Sequence, residues 1–252
     1  MSPAAVPQSP ASPALPDLRV LLEWQDAGTR VFEGELDRLG PAGLDAPSAL
    51  PGWSRRHVVA HVGTNADALV NLLYWARTGE ETPMYPDPES RDRDIERSAQ
   101  RPPDEILANV KDACGRYAGA VTNLPDGAWD ATVRTAQGRI VAASLVPWLR
   151  TREVWVHAID LGEDATFEIL PERLASSLLE DAVALLRTRP GAAHLVLVDD
   201  AGEGCWELPG DGAAAVVRGS LHALVAYVLR GQRTSNLSVD GGGVLPGAPR
   251  WL

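Results

Sequence analysis

Glu153 and His157 stand four residues apart inside Pro147-Trp148-Leu149-Arg150-Thr151-Arg152-Glu153-Val154-Trp155-Val156-His157-Ala158-Ile159-Asp160-Leu161-Gly162. On a helix that spacing turns a carboxylate and an imidazole the same way. Apolar residues from Leu149 to Leu161 wrap much of the cylinder, so the helix reads as largely buried. Buried charge is costly unless it is paired or metal-bound, and the pair therefore asks for a partner. His57 and His61 form a second pair with the same spacing. Either could join Glu153 and His157, because two histidines and one carboxylate suit a catalytic zinc with an open position or a non-haem iron. A Glu and a His four apart most often make only a hydrogen bond, and spacing alone does not show that the two helices face each other.

Four helical patterns must position these residues. The first runs from Pro16 to Gly40, with Leu18, Leu21, Leu22, Val31, Phe32 and Leu36 near a 3.6 period. The second runs from Arg55 to about Arg77 behind a Ser54 cap and ends at Gly79. The third spans about Pro103 to Asn123, and the fourth is the Pro147–Gly162 stretch, with Pro at its start and Gly at its stop. Glu80 to Arg101 reads as a long polar connection, and such loops are often functional. Thr132 to Ala143 reads as a short irregular or hairpin segment. Together they predict a helical bundle whose core carries the ligands.

After Gly162 the pattern changes. A helix from Leu170 to about Thr188 precedes strands at His194–Asp199, Cys205–Leu208 and Ala213–Arg218, a helix at Ser220–Leu229 and a short strand at Asn236–Asp240. That mixture predicts a small α+β domain. The expected organisation is a disordered Pro/Ala/Ser tail at 1–15, a four-helix bundle at 16–164 and an α+β domain at 165–252.

The 252-residue chain has a net charge of −11, which argues against nucleic acid or an anionic membrane as partner. No apolar run reaches the roughly 18–20 residues of a membrane span, and no signal-peptide pattern opens the chain. Cys114 and Cys205 lack metal-type spacing, which fits reduced thiols in the cytoplasm.

Trp53-Ser54, then six residues, then His61-Val62 resembles the helix signature of DinB-like metal-binding bundles. A wider set sharpens the likeness: Leu50-Pro51-Gly52-Trp53-Ser54, Ala60-His61-Val62, Asn65-Ala66, Gly79-Glu80-Glu81-Thr82-Pro83-Met84-Tyr85, Thr135-Ala136-Gln137-Gly138-Arg139, Arg152-Glu153-Val154-Trp155, His157-Ala158, Asp160-Leu161-Gly162 and Pro249-Arg250-Trp251-Leu252. These resemble the mycothiol-dependent maleylpyruvate isomerase family over both domains. The resemblance implies a zinc held by His61, Glu153 and His157, which selects His61 over His57. It also implies a functional arginine at Arg91 in the long loop and a second at Arg230, where Leu229 replaces a glycine of the family's run and leaves Arg233 as the alternative.

The implied reaction turns maleylpyruvate into fumarylpyruvate in gentisate breakdown. The thiolate of mycothiol adds to the cis double bond, the bond rotates and the thiol leaves. A free thiol has a pKa near 8.5, and a zinc with an open position ionises it. The arginines suit a dicarboxylate. Two other readings use the same residues: a mycothiol S-transferase, and a non-enzymatic metal- or ligand-binding bundle. Family likeness leans to a monomer.

Overall fold

The computed structural model describes residues 15–162, 166–189, 193–202, 204–247 and 251. All of the expected disordered tail but Leu15, the junction near residue 165 and most of the closing Pro249-Arg250-Trp251-Leu252 motif lie outside them. The chain divides into two compact units, with 16–165 forming one and the residues from Thr166 onward the body of the other.

The first unit is a bundle of α1 (Leu18–Leu39), α2 (Arg55–Thr78), α4 (Pro103–Thr122) and α5 (Val146–Leu161), with a short α3 (Ser90–Ala99) laid on α2. Local sequence sets the ends. The Asp17 side chain accepts from Val20 N at 3.0 Å at the start of α1. Gly79 takes a left-handed φ of 77° and returns its N–H to Trp75 O, closing α2. Pro147 sits in the first turn of α5.

Inside the bundle α1 packs on α5, and α2 packs on both α4 and α5. Gly28 of α1 permits close approach: a Cβ there would meet Trp155 Cδ1 at 2.5 Å and Val154 Cγ2 at 2.6 Å. Trp155 in turn donates its indole N–H to Trp24 O at 2.8 Å. Arg150 is fully buried on α5 and reaches into α2, donating to Val62 O at 2.8 Å and Asn65 Oδ1 at 3.1 Å. These bonds fix the register of α5 against the stretch of α2 that carries His61.

The segment 80–101, expected as an open loop, holds α3 in its second half. Only Ile95 and Ala99 are buried apolar residues there, packed on Ala60 with Trp53 alongside. An apolar stripe of two residues in a run this charged is too thin to register as a helix period. The helix is held by that contact and by charge pairs such as Arg97 with Asp94 and Arg93 with Asp87.

Of the two readings of Thr132 to Ala143, irregular or hairpin, the structure shows the hairpin: β1 (Thr132–Arg134) and β2 (Ile140–Ala142) pair with Val133 opposite Val141. Gly138 supplies the positive φ its turn requires. Val133 is buried against Leu69, Leu72 and Leu73 of α2.

The second unit starts its regular structure at α6 (Glu172–Leu186). Its sheet has the order β4-β3-β5-β6, from β3 (Ala193–Asp199), β4 (Cys205–Leu208), β5 (Asp211–Gly219) and β6 (Ser238–Val239). β3 and β4 are antiparallel, β3 and β5 parallel. α7 (Leu221–Arg230) begins at Ser220, whose hydroxyl accepts from Ala223 N, and packs on α6. The architecture is a helical bundle with a smaller α+β domain.

Candidate metal centre

α2 and α5 bring His61, Glu153 and His157 together. His61 Nε2 lies 2.8 Å from Glu153 Oε2, and His157 Nε2 lies 3.3 Å from the same oxygen. The two imidazoles meet edge-on, with centroids 4.8 Å apart. One ligand atom from each residue falls within 4.8 Å of the others. Donors bound to zinc at about 2.0–2.1 Å sit roughly 3.3 Å apart at tetrahedral corners, and the His61–Glu153 and His157–Glu153 separations are already close to that spacing. Two imidazoles and a carboxylate are also a donor set zinc favours.

The burial is near complete: His61 is 5% exposed and His157 9%. Burial pushes the His61 pKa down, with His157 and Arg91 adding to the effect against the pull of Glu153. Burial also resists ionisation of Glu153, but His61 and His157 outweigh it and hold the carboxyl well below the usual range. For His157 burial again favours the neutral ring, and hydrogen bonds donated to Asp160 and Glu153 reverse the balance and raise it.

His57 takes another role. Its Nδ1 lies 3.3 Å from Ser54 N and 2.8 Å from Ser54 Oγ, a reciprocal cap on the first turn of α2. Its Nε2 faces Glu96 of α3 at 3.3 Å. The Trp53 indole stacks on His57 and stands tilted against His61 at 5.6 Å.

Arg91 opens α3 at the edge of the cluster. Its Nη2 is 3.5 Å from His61 Nδ1, and its Nη1 donates to Asp92 at 2.7 Å. Arg230 belongs to the second unit, in the last turn of α7. Its Nη1 donates to Leu229 O at 2.9 Å and its guanidinium lies 6.0 Å from the Trp251 ring centroid. Arg233 donates to Pro246 O at 3.2 Å.

Two residues near the cluster had no role in the sequence reading. Asp160 accepts from His157 Nδ1 at 2.8 Å; its position three residues after a candidate ligand on one helix was the available signal. Tyr85 comes from the loop before α3, where no periodicity points to it. Burial and the nearby Glu153 charge push its phenol up to about 12, against the pull of Arg91. Tyr85 also lines a cavity of about 430 Å³ between α2, α3 and α4, shared with Asp67, Asn71, Arg97 and Arg116.

The family model for the mycothiol maleylpyruvate isomerase N-terminal domain matches residues 25–162. The chain belongs to this family. Among solved structures it is similar to the mycothiol-dependent maleylpyruvate isomerase, at 36% identity over 94% of this chain and 98% of that one, with a TM-score of 0.88. A variant of that enzyme with a histidine replaced by alanine gives the same figures. No curated protein matches the chain. The matched family segment contains His61, Arg91, Glu153 and His157, and the structural match extends across the α+β unit of this isomerase-family chain. No helix among the described residues is long and apolar enough to cross a membrane.

Proposed function

We propose that this chain is a zinc- and mycothiol-dependent cis–trans isomerase that converts maleylpyruvate, or a related cis-enone dicarboxylate, to the trans isomer, fumarylpyruvate in the parent case. The observation that carries the reading is the buried His61–Glu153–His157 cluster with Arg91 at its edge, in a chain of the isomerase family.

His61, Glu153 and His157 are the ligands in this reading. Zinc there would supply the Lewis acidity that keeps a thiol ionised at neutral pH, and mycothiol the thiol. The protein's own groups do the rest. Arg91 offers a planar fork for a substrate carboxylate, a geometry that lysine lacks. Tyr85 keeps its phenolic proton at neutral pH beside Arg91. Trp53, packed against His61, keeps water from that side of the ring. Arg230 enters the reading on the family resemblance alone. The same reading places the enzyme in the cytoplasm as a monomer, with Cys114 and Cys205 as free thiols.

The test is an absorbance assay of zinc-loaded protein with maleylpyruvate, with and without mycothiol. Isomerisation that requires both zinc and mycothiol supports the proposal. A persistent mycothiol adduct of the substrate, seen by mass, would instead indicate an S-transferase. Zinc binding without turnover with any thiol would leave a binding bundle.

A further inference from the structure

The zinc reading leaves one buried acid without a task. Asp160 sits three residues after His157 on α5, and its side chain is 0% exposed. A carboxylate so placed is costly to bury unless hydrogen-bonded. Its Oδ2 lies 2.8 Å from His157 Nδ1. An ionised carboxylate only accepts, so Nδ1 carries the proton in this contact. In the neutral ring the free lone pair is then on Nε2, the atom 3.3 Å from Glu153 and on the cluster side. His61 is held differently: its Nδ1 faces Arg91, which has donors only. Asp160 thus gives the cluster its acceptor-fixed imidazole. Its main chain has a separate duty. Asp160 O accepts from Ala49 N at 3.0 Å, anchoring the loop that carries Trp53 to the His61 ring.

We propose that Asp160 is a positioning residue of the metal centre: it fixes the tautomer and orientation of His157 so that Nε2 points its lone pair at the ion. The inference rests on the zinc reading. Carboxylates placed behind a metal-bound histidine raise its basicity as well as orient it, and their loss costs about 10–100-fold in metal affinity. The backbone bond to Ala49 survives substitution of the side chain, so the Trp53 loop keeps its anchor in the variants.

The experiment measures zinc affinity by competition with a chromophoric chelator for the wild type, Asp160→Ala and Asp160→Asn, with thermal melts of the metal-free forms alongside. The alanine variant is expected to bind zinc about 10–100-fold more weakly while still melting cooperatively. The asparagine variant is expected to lose less, because its amide oxygen still accepts from Nδ1–H. Wild-type affinity in Asp160→Ala overturns the proposal. Equal losses in both variants, accompanied by loss of cooperative melting, would mark a purely structural role and overturn it too. A wild type that binds no zinc at all overturns the zinc reading itself, and this role with it.

Discussion

Glu153 Oε2 stands 2.8 Å from His61 Nε2 and 3.3 Å from His157 Nε2, so one carboxylate of α5 bonds to its own helix and to α2. His61→Ala, Glu153→Ala and His157→Ala each remove one of three donors. Each is expected to lower zinc affinity by more than about 100-fold, beyond the loss of an outer partner, and to abolish isomerisation with it. His57→Ala is the control. It is expected to keep full zinc and lose about 1 kcal/mol of stability with the α2 cap. Metal analysis after gel filtration and urea melts read the two effects apart. Full zinc and turnover in His61→Ala would sink the ligand assignment.

Arg91 touches His61 only at its far nitrogen, so its removal leaves all three donors in place. Arg91→Ala is expected to raise KM for the dicarboxylate by tenfold or more, about the worth of a charge-assisted hydrogen bond of 1.5–3 kcal/mol. Zinc content should not change. Arg91→Lys should recover only part, because a point charge replaces a fork. Steady-state kinetics on zinc-matched samples separate this from metal loss; an unchanged KM would remove Arg91 from the substrate site.

The bundle helices were legible because their apolar stripes are long and their ends carry Ser54, Pro147 and the glycines. α3 was not, because Ile95 and Ala99 are its whole buried apolar stripe and its helix depends on contact with α2. The Glu153–His157 pair was visible as a spacing, but spacing did not choose its partner, and the choice of His61 over His57 came from the family resemblance. His57 and His61 share that spacing, and the fold sends His57 to Ser54 and His61 to Glu153. Tyr85 reaches the cluster from a loop, so no periodic pattern could mark it.

The shifts of the ligands give a pH dependence with a definite sign. His157 has a folded pKa above its ordinary 6.5. Its ionic contacts therefore stabilise the metal-free fold fully below pH 6.5, and that contribution fades as pH rises through the folded value. Zinc needs the same ring neutral. Glu153 is held low and stays ionised at pH 6 and above, so it does not oppose the trend. Zinc should therefore raise the melting temperature more at pH 8 than at pH 6, and bind with proton release that makes its enthalpy depend on the buffer. Calorimetry and melts in two buffers check this; a zinc effect larger at pH 6 would contradict it.

Gly28 governs how closely α1 meets the ligand-bearing helix. A Cβ at that position would fall 2.5 Å from a Trp155 ring atom, and that ring is pinned by its bond to Trp24 O. The ring cannot swing aside, so Gly28→Ala must either break that bond or push α5 away from α1. Alanine in place of glycine would otherwise favour the helix by about 1 kcal/mol. Overpacking of this kind costs about 1–3 kcal/mol, so the net effect is expected to be destabilising. Gly34, on the same helix with nothing within 4 Å of its added Cβ, supplies the comparison. Gly34→Ala should gain stability by the propensity term alone. Because Trp155 lies between Glu153 and His157 in the chain, moving α5 also moves two donors relative to His61. Zinc affinity is therefore expected to fall in Gly28→Ala and to stay unchanged in Gly34→Ala, as read by urea melts and chelator competition on both. Equal stability changes in the two variants would show that α5 tolerates the added methyl and that the close approach does not set the metal geometry.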